Sequence, residues 1–307
     1  MAEAALATHA VTRADDQERR EERVAWLLVS PALLLLLGLV LLPVAGVFVL
    51  SFTDWQLGAR QLNFVALENY AEMLEDRRFQ VSAINTIIYV GVVGPVSVVL
   101  GLFLALLIES GRGGRTVFRT IYFLPLVSLL VAMATVWQYL MHPTIGPLNT
   151  LLAAVGLPGS NWLAGSGTVL WSLALIGIWE NVGFNMVLFM AGLTAIPREL
   201  YAAAEIDGAR SASDRFWLVT FPMLGPTLVF VLAITTIRTV KVFETVAALT
   251  QGGPNMASEV LLWTIYQEGF VFFRMGYASA LTVVFLAIFL VVMLMQTRAL
   301  DKRVHYS

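Results

Sequence analysis

The strongest constraint on this chain is where its charges are missing. No Asp, Glu, Lys or Arg occurs for 30 residues between Arg23 and Asp54, nor for 30 between Arg78 and Glu109. The interval from Arg119 to Glu180 runs 60 residues without a charge, and those from Arg215 to Arg238 and from Arg274 to Arg298 run 22 and 23. A helix rises 1.5 Å per residue, so about 20 apolar residues cross a hydrocarbon core roughly 30 Å thick. Four of these intervals suit one span each. The 60-residue stretch is too long for one, and its middle holds Pro143, Gly146, Pro147, Gly156, Pro158 and Gly159, a turn-rich break. It divides into two helices, which makes six spans. Pro43, Pro95, Pro125 and Pro226 fall inside spans and are expected to kink them. The first apolar run is twice as long as a signal-peptide core and is followed by five others, so it reads as an uncleaved span.

Composition excludes most other classes. The chain is 58% hydrophobic and 13% charged, with a mean hydropathy of +0.79, whereas a soluble domain carries about 25% charge. A net charge of −2 is no basic footprint for nucleic acid. Without cysteine there are no disulfides or thiolate metal sites, and His9, His142 and His305 are too scattered to suggest a metal cluster. The only lysines, Lys241 and Lys302, follow Val240 and Asp301 rather than glycine, so no phosphate-binding P-loop is present. Ala164-Gly165-Ser166-Gly167 is the nearest approach to a serine-hydrolase signature. It lies in the turn-rich break with no histidine in any span to act as base, and it reads as a turn. The chain is therefore expected to be a transport component, not an enzyme.

Basic residues set the orientation. Segments 1–23, 109–119, 196–215 and 298–307 carry thirteen (among them Arg13 and Arg19 in the first, Arg112 in the second, Lys302 and Arg303 in the last), against four in the opposite loops: Arg60, Arg77, Arg78 and Arg274. That asymmetry predicts that both termini are cytoplasmic. The first 23 residues mix acids and arginines with few large apolar groups and read as a solvated tail.

Polar residues inside spans are candidates for function, because they are costly there. Glu180 lies near mid-depth of span four, followed by Asn181 and Asn185 at helical spacing, beside the aromatic surface of Trp179. The group suits a sugar, which needs hydrogen-bonding side chains and an apolar platform; the same residues also suit bonds between helices. Span five carries Thr235, Arg238, Lys241, and Glu244 with Thr245, three or four apart, a single polar stripe that cannot face lipid. Arg238 and Lys241 could attract an anion such as a sugar phosphate, or pair internally, with Lys241–Glu244 the obvious pair.

The segment between spans four and five reads Ile196-Pro197-Arg198-Glu199-Leu200-Tyr201-Ala202-Ala203-Ala204-Glu205-Ile206-Asp207-Gly208-Ala209-Arg210, and continues to Phe216 and Phe221-Pro222. Pro197 suits a helix start and Gly208 a helix end. The stretch resembles the EAA loop of permease subunits of binding-protein-dependent ABC importers, E-A-A-x-x-D-G-A followed by Phe and Pro, and the carbohydrate branch (maltose and glycerol-phosphate type) fits best. Ala203, Ala204, Asp207, Gly208, Ala209, Phe216 and Pro222 occupy pattern positions; Ala202 stands where the family has its leading Glu. Other resemblances follow in order: Phe64-Val65-Ala66-Leu67-Glu68-Asn69-Tyr70, Asn85-Thr86, Leu124-Pro125, Gly146 with Asn149, Thr250-Gln251-Gly252-Gly253-Pro254, Ile265 to Phe270 and Gly276 to Ala280.

The resemblance implies an all-α membrane protein of the type I ABC importer permease fold, multi-pass in the inner membrane. Its frame is a tail (1–23), one permease domain (24–300) and a tail (301–307), with spans near 24–52, 82–108, 119–140, 169–195, 217–249 and 276–297. Loop 197–216 would dock on an ATPase, with Glu199 or Glu205 standing in for the acid missing at Ala202. The implied partners are two ATP-binding cassette subunits, a second and homologous permease, an extracytoplasmic solute-binding protein and the lipid bilayer. ATP and Mg would sit on the ATPase subunits and no cofactor on this chain. Phe243-Glu244 matches a common Phe-acid pair before T-x-G-G-P, which implies a structural role. The alternative is a stand-alone proton-coupled carrier that uses Glu180 and Glu244.

Overall fold

The computed structural model describes residues 20–111 and 113–301. The tails 1–19 and 302–307 lie outside the described residues, and with them His9, His305, Arg13, Arg19, Lys302 and Arg303, as does Arg112. Among the described residues every regular element is helical; Thr53 and Phe64 form an isolated antiparallel bridge.

The long apolar helices are α1 (Arg20–Leu50), α3 (Arg77–Ser110), α7 (Val169–Thr194), α10 (Gly225–Val240) continued by α11 (Phe243–Leu249), and α13 (Met275–Asp301). Shorter helices are α2 (Glu68–Glu75), α4 (Arg115–Val127), α5 (Leu130–Leu140), α6 (Pro147–Ala154), α8 (Arg198–Ile206), α9 (Ala212–Arg215) and α12 (Leu261–Tyr266). Five helices are long and apolar enough to cross a membrane, six if α4 and α5 form one span. Helix α1 begins at Arg20, inside the stretch read as a tail.

Two expected spans are broken. The third bends by 104° between α4 and α5. Pro125 lacks an N–H, Ser128 and Leu129 are both extended, and the Ser128 hydroxyl donates to the Leu124 carbonyl at 2.9 Å, satisfying a group the break exposes. The fifth unwinds at Lys241–Val242, between α10 and α11. The other prolines act differently. Pro95 sits inside an uninterrupted α3, while Pro43 and Pro222 each follow a π-helical turn, Leu37–Leu41 and Phe216–Thr220. A widened turn gives room to the carbonyl four residues earlier that a proline ring would otherwise strike.

Helix α7 is the centre of the bundle and packs on α3, α4 and α10. A side chain at Gly183 would overlap the Tyr122 carbonyl, so the α4 backbone lies directly on α7. One apolar cluster, built on Val98, Met186, Phe189, Val219 and Val231, fills the end of the bundle nearest α8. A second, with Tyr89, Leu173, Val246 and Val260, fills the opposite end. Between them lies a polar layer. Helix α1 packs on α13 through Leu42–Leu50, and most of its apolar side chains are exposed, as expected for a span facing lipid or another subunit.

Candidate functional site

The polar layer contains the span-four and span-five candidates, and the structure separates them into two groups. Asn185 is fully buried and ties three helices together: it accepts from the Thr235 hydroxyl on α10 at 2.8 Å and donates to the Ser97 hydroxyl on α3 at 3.3 Å. It lines neither of the two central cavities. Asn181 is also buried, donating to the Gly177 carbonyl at 2.8 Å and accepting from Arg238 Nε at 2.9 Å.

Trp179, Glu180, Arg238 and Glu244 instead line a cavity of about 320 Å³. An adjoining cavity of about 180 Å³ shares Glu180, Arg238 and Glu244 and adds Asn181 and Lys241. Arg238 Nη2 is 3.4 Å from Glu180 Oε1, and the guanidinium lies 4.7 Å from the centre of the Phe184 ring. Trp137 and Trp179 meet edge to face at 5.4 Å on the wall of the larger cavity. Both helix breaks open here, since Ser128, Leu129 and Lys241 are lining residues. Non-helical backbone at membrane depth is tolerated where it lines a cavity.

The expected Lys241–Glu244 pair is absent. Unwinding at Lys241–Val242 interrupts the helical spacing that would have stacked the two side chains, and Lys241 forms no ion pair with a described residue. The single stripe of span five is therefore a stripe only as far as Arg238. Sequence reasoning missed Trp137 because no charged residue marks its span and its partner, Trp179, lies 42 positions away on another helix.

The quoted motif asparagines fasten loops. Asn85 donates to the carbonyls of Met256 (3.1 Å) and Glu259 (2.9 Å), and Thr86 accepts from Leu261 N at 2.9 Å, so the pair clamps the segment after T-x-G-G-P. Asn69 donates to the Ser51 and Thr53 carbonyls at 2.9 and 2.8 Å. Asn149 accepts from Ser160 N and Trp162 Nε1 at 3.0 and 2.8 Å. A charge network missed in the sequence lies beside them. Glu259 and Glu268 are buried, and Arg78 reaches both, at 3.3 and 3.7 Å, while Arg274 reaches Glu268 at 3.3 Å and also pairs with Glu72. Burial pushes the carboxyls of Glu259 and Glu268 above the usual carboxylate range, opposed by these arginines.

At the far end, α8 spans Arg198–Ile206 and stops in a Schellman motif: Ala209 N donates to the Ala204 carbonyl at 2.9 Å and Gly208 N to the Glu205 carbonyl at 3.2 Å. Gly208 has φ +98°, a conformation that suits glycine. Glu199, Ala202, Ala203, Glu205, Ile206, Asp207 and Gly208 are exposed, whereas Tyr201 and Ala204 pack against the apolar cluster of α3, α7 and α10 and Ala209 is buried. Glu199 and Glu205 lie one turn either side of Ala202, on its face of the helix.

A bundle of apolar helices, two of them broken around a central polar cavity, is the architecture of a membrane permease. Comparison with known proteins gives the class a family. The profile of the binding-protein-dependent transport system inner membrane component matches residues 97–306. The chain is 32% identical to the sn-glycerol-3-phosphate transport system permease protein UgpA of Agrobacterium fabrum, over 92% of this chain and 96% of that one. It is 33% identical to the trehalose/maltose transport system permease protein MalF of Thermococcus litoralis, over 81% and 85%. Its fold is similar to that of a bacterial ABC transporter that imports the acidic polysaccharide alginate, with a TM-score of 0.80 at 21% identity, over 93% of this chain and 98% of that one. The chain belongs to the family of binding-protein-dependent ABC importer permeases, in its carbohydrate branch. It is a membrane transport component and not an enzyme.

Proposed function

We propose that this chain is one of two permease subunits of an importer for a sugar, a polyol or a phosphate of either, and that it works by alternating access. Two separate ATPase subunits, which hold ATP and Mg, close on nucleotide binding and move α8. A solute-binding protein outside the membrane delivers solute to the face carrying the T-x-G-G-P segment. The second permease is a homologue, and both termini of this chain face the cytoplasm.

One observation carries the coupling reading. Helix α8 offers an exposed face and, through Tyr201 and Ala204, rests its other face on the cluster of Phe189, Val219 and Val231. A push on the exposed face is thereby delivered to α7 and α10, the two helices that hold Glu180 and Arg238. Glu199 and Glu205 are the acids placed to replace the one missing at Ala202. The cavity supports the solute class: two indole rings supply a platform, and a carboxylate beside a guanidinium supplies acceptors and donors for hydroxyl groups. The proton-coupled alternative is less well supported, because Glu180 is engaged by Arg238.

Affinity purification of the tagged chain from its native membrane tests the partners, with a P-loop subunit expected to co-elute and to hydrolyse ATP. Single cysteines at Ser211 and Asn161, in a chain with none of its own, test the orientation. They should label from opposite sides, with Ser211 reached from the cytoplasm; elution of the chain alone, or labelling of both from one side, contradicts the proposal.

A further inference from the structure

A groove of about 910 Å³ runs between the ends of α3 and α7 and the loop that contains α8 and α9. It shares no lining residue with the central cavities, and Tyr201 of α8 is part of its wall. Its walls combine two chemistries. Phe103 and Leu107 of α3 are large apolar side chains, 56% and 51% exposed, and Phe216 adds an aromatic face. Arg115, Arg198 and Arg215 line the same groove with one acid, Glu109. That acid is already held by Arg115 at 3.0 Å, while Arg198 and Arg215 form no ion pair with a described residue. The groove therefore presents an excess of positive charge beside an open apolar strip.

A second observation favours a membrane boundary. Phe216, Trp217 and Phe221 form a compact aromatic cluster with centroids 5.0 to 5.9 Å apart, and Trp217 is 60% exposed. Tryptophan, an apolar ring with one polar N–H, gathers at the headgroup level, and Trp217 is the most exposed of the three. Basic pockets between spans at that level attract anionic headgroups, and guanidinium groups match phosphate oxygens in pairs. We infer that this groove is a binding site for an anionic phospholipid, with its phosphate at Arg198 and Arg215 and an acyl chain along Phe103 and Leu107. Arg198 belongs to α8, so a bound lipid joins that helix to α3 and stiffens the element through which the bundle is proposed to be driven. The inference needs only that the groove lie in a headgroup layer, so it stands or falls independently of the ATPase reading.

The test is native mass spectrometry of the purified complex containing this chain, with added dioleoyl-phosphatidylglycerol or dioleoyl-phosphatidylcholine. Phosphatidylglycerol should stay bound under collision energies that strip phosphatidylcholine. The double variant Arg198→Ala, Arg215→Ala should lower its apparent affinity about ten- to a hundredfold, the scale set by losing charge-assisted bonds. The variant Arg198→Lys, Arg215→Lys keeps the charge but not the paired geometry and should lose less binding than the alanine variant, which separates a lost site from a misfolded chain. Equal retention of both lipids, or unchanged binding by the alanine variant, overturns the inference. Displacement by inorganic phosphate at millimolar concentration also overturns it, by assigning the groove to a free anion instead of a lipid.

Discussion

Arg238 on α10 and Glu180 on α7 face each other across the central cavity, 3.4 Å apart, and Asn181 holds the same guanidinium from the next position along α7. The arginine is thus compensated before any solute arrives. Both side chains keep a little over a quarter of their surface exposed, so the pair lies between the surface and buried extremes. Removing one partner should cost about 1–2 kcal/mol of stability. Glu180→Gln and Arg238→Met should each lower the thermal midpoint of the complex, and the double variant should be more stable than the sum of the two losses. Strict additivity would mean that the two side chains do not interact. Glu180→Gln also leaves the cavity with an extra positive charge, so uptake should shift towards phosphorylated solutes relative to neutral ones.

Lys241 and Glu244 make the contrasting case. With the helix unwound between them and no ion pair formed, Lys241→Met and Glu244→Gln should act independently. Thermal midpoints of the two single variants and the double variant should add. Recovery in the double variant would show that the pair forms in solution.

Gly208 ends α8 with φ +98°. A side chain in that region costs about 1–2 kcal/mol, which is enough to reshape a two-turn helix end without unfolding the bundle. Gly208→Leu should reduce solute uptake while the amount of chain in the membrane, read by immunoblot, stays normal. Gly208→Asn should be milder, because Asn tolerates positive φ. Unchanged uptake with Leu would mean that the turn is incidental to coupling.

Glu259 gives a pH prediction. Its carboxyl is raised above the usual range by burial, more than Arg78 offsets. A raised folded-state value means that protonation favours the folded form. The stabilisation is full below the unfolded carboxylate range, near pH 4, and is lost as pH rises through the raised value. Glu259→Gln mimics the protonated group and removes that dependence. The thermal midpoint of the wild-type complex should therefore gain on that of Glu259→Gln as pH falls from 7 to about 5. A relative loss over the same interval would mean that the Arg78 pair outweighs burial.

Much of the frame was legible because bilayer thickness sets element length: the charge-free intervals locate α1, α3, α7, α10 and α13. The helix end at Gly208 was legible because only a residue free of a Cβ suits that turn easily. The break in the third span was not. Pro125 announced a kink, but a bend of 104° depends on the extended pair Ser128 and Leu129 and on the hydroxyl that satisfies Leu124. The Lys241–Glu244 pairing failed for a related reason, since spacing arguments assume a continuous helix and this one unwinds at Lys241. Asn185 looked like Asn181 and Glu180 in sequence; its partners on α3 and α10, which make it a bolt between helices, come from positions 88 and 50 residues away. The Arg78–Glu259–Glu268 network joins positions still farther apart in the chain and leaves no local trace.

The central claim is that movement of solute through this chain is driven by ATP on a separate subunit. The most direct measurement is uptake by proteoliposomes containing the purified complex, with ATP on the side of α8 and the binding protein on the other. The solute is first chosen by calorimetry of that binding protein against sugars, polyols and their phosphates. The account predicts uptake that requires ATP, is stopped by vanadate and is unaffected by an uncoupler. Uptake that proceeds without ATP and collapses with the proton gradient would contradict it and return Glu180 and Glu244 to the role of proton carriers.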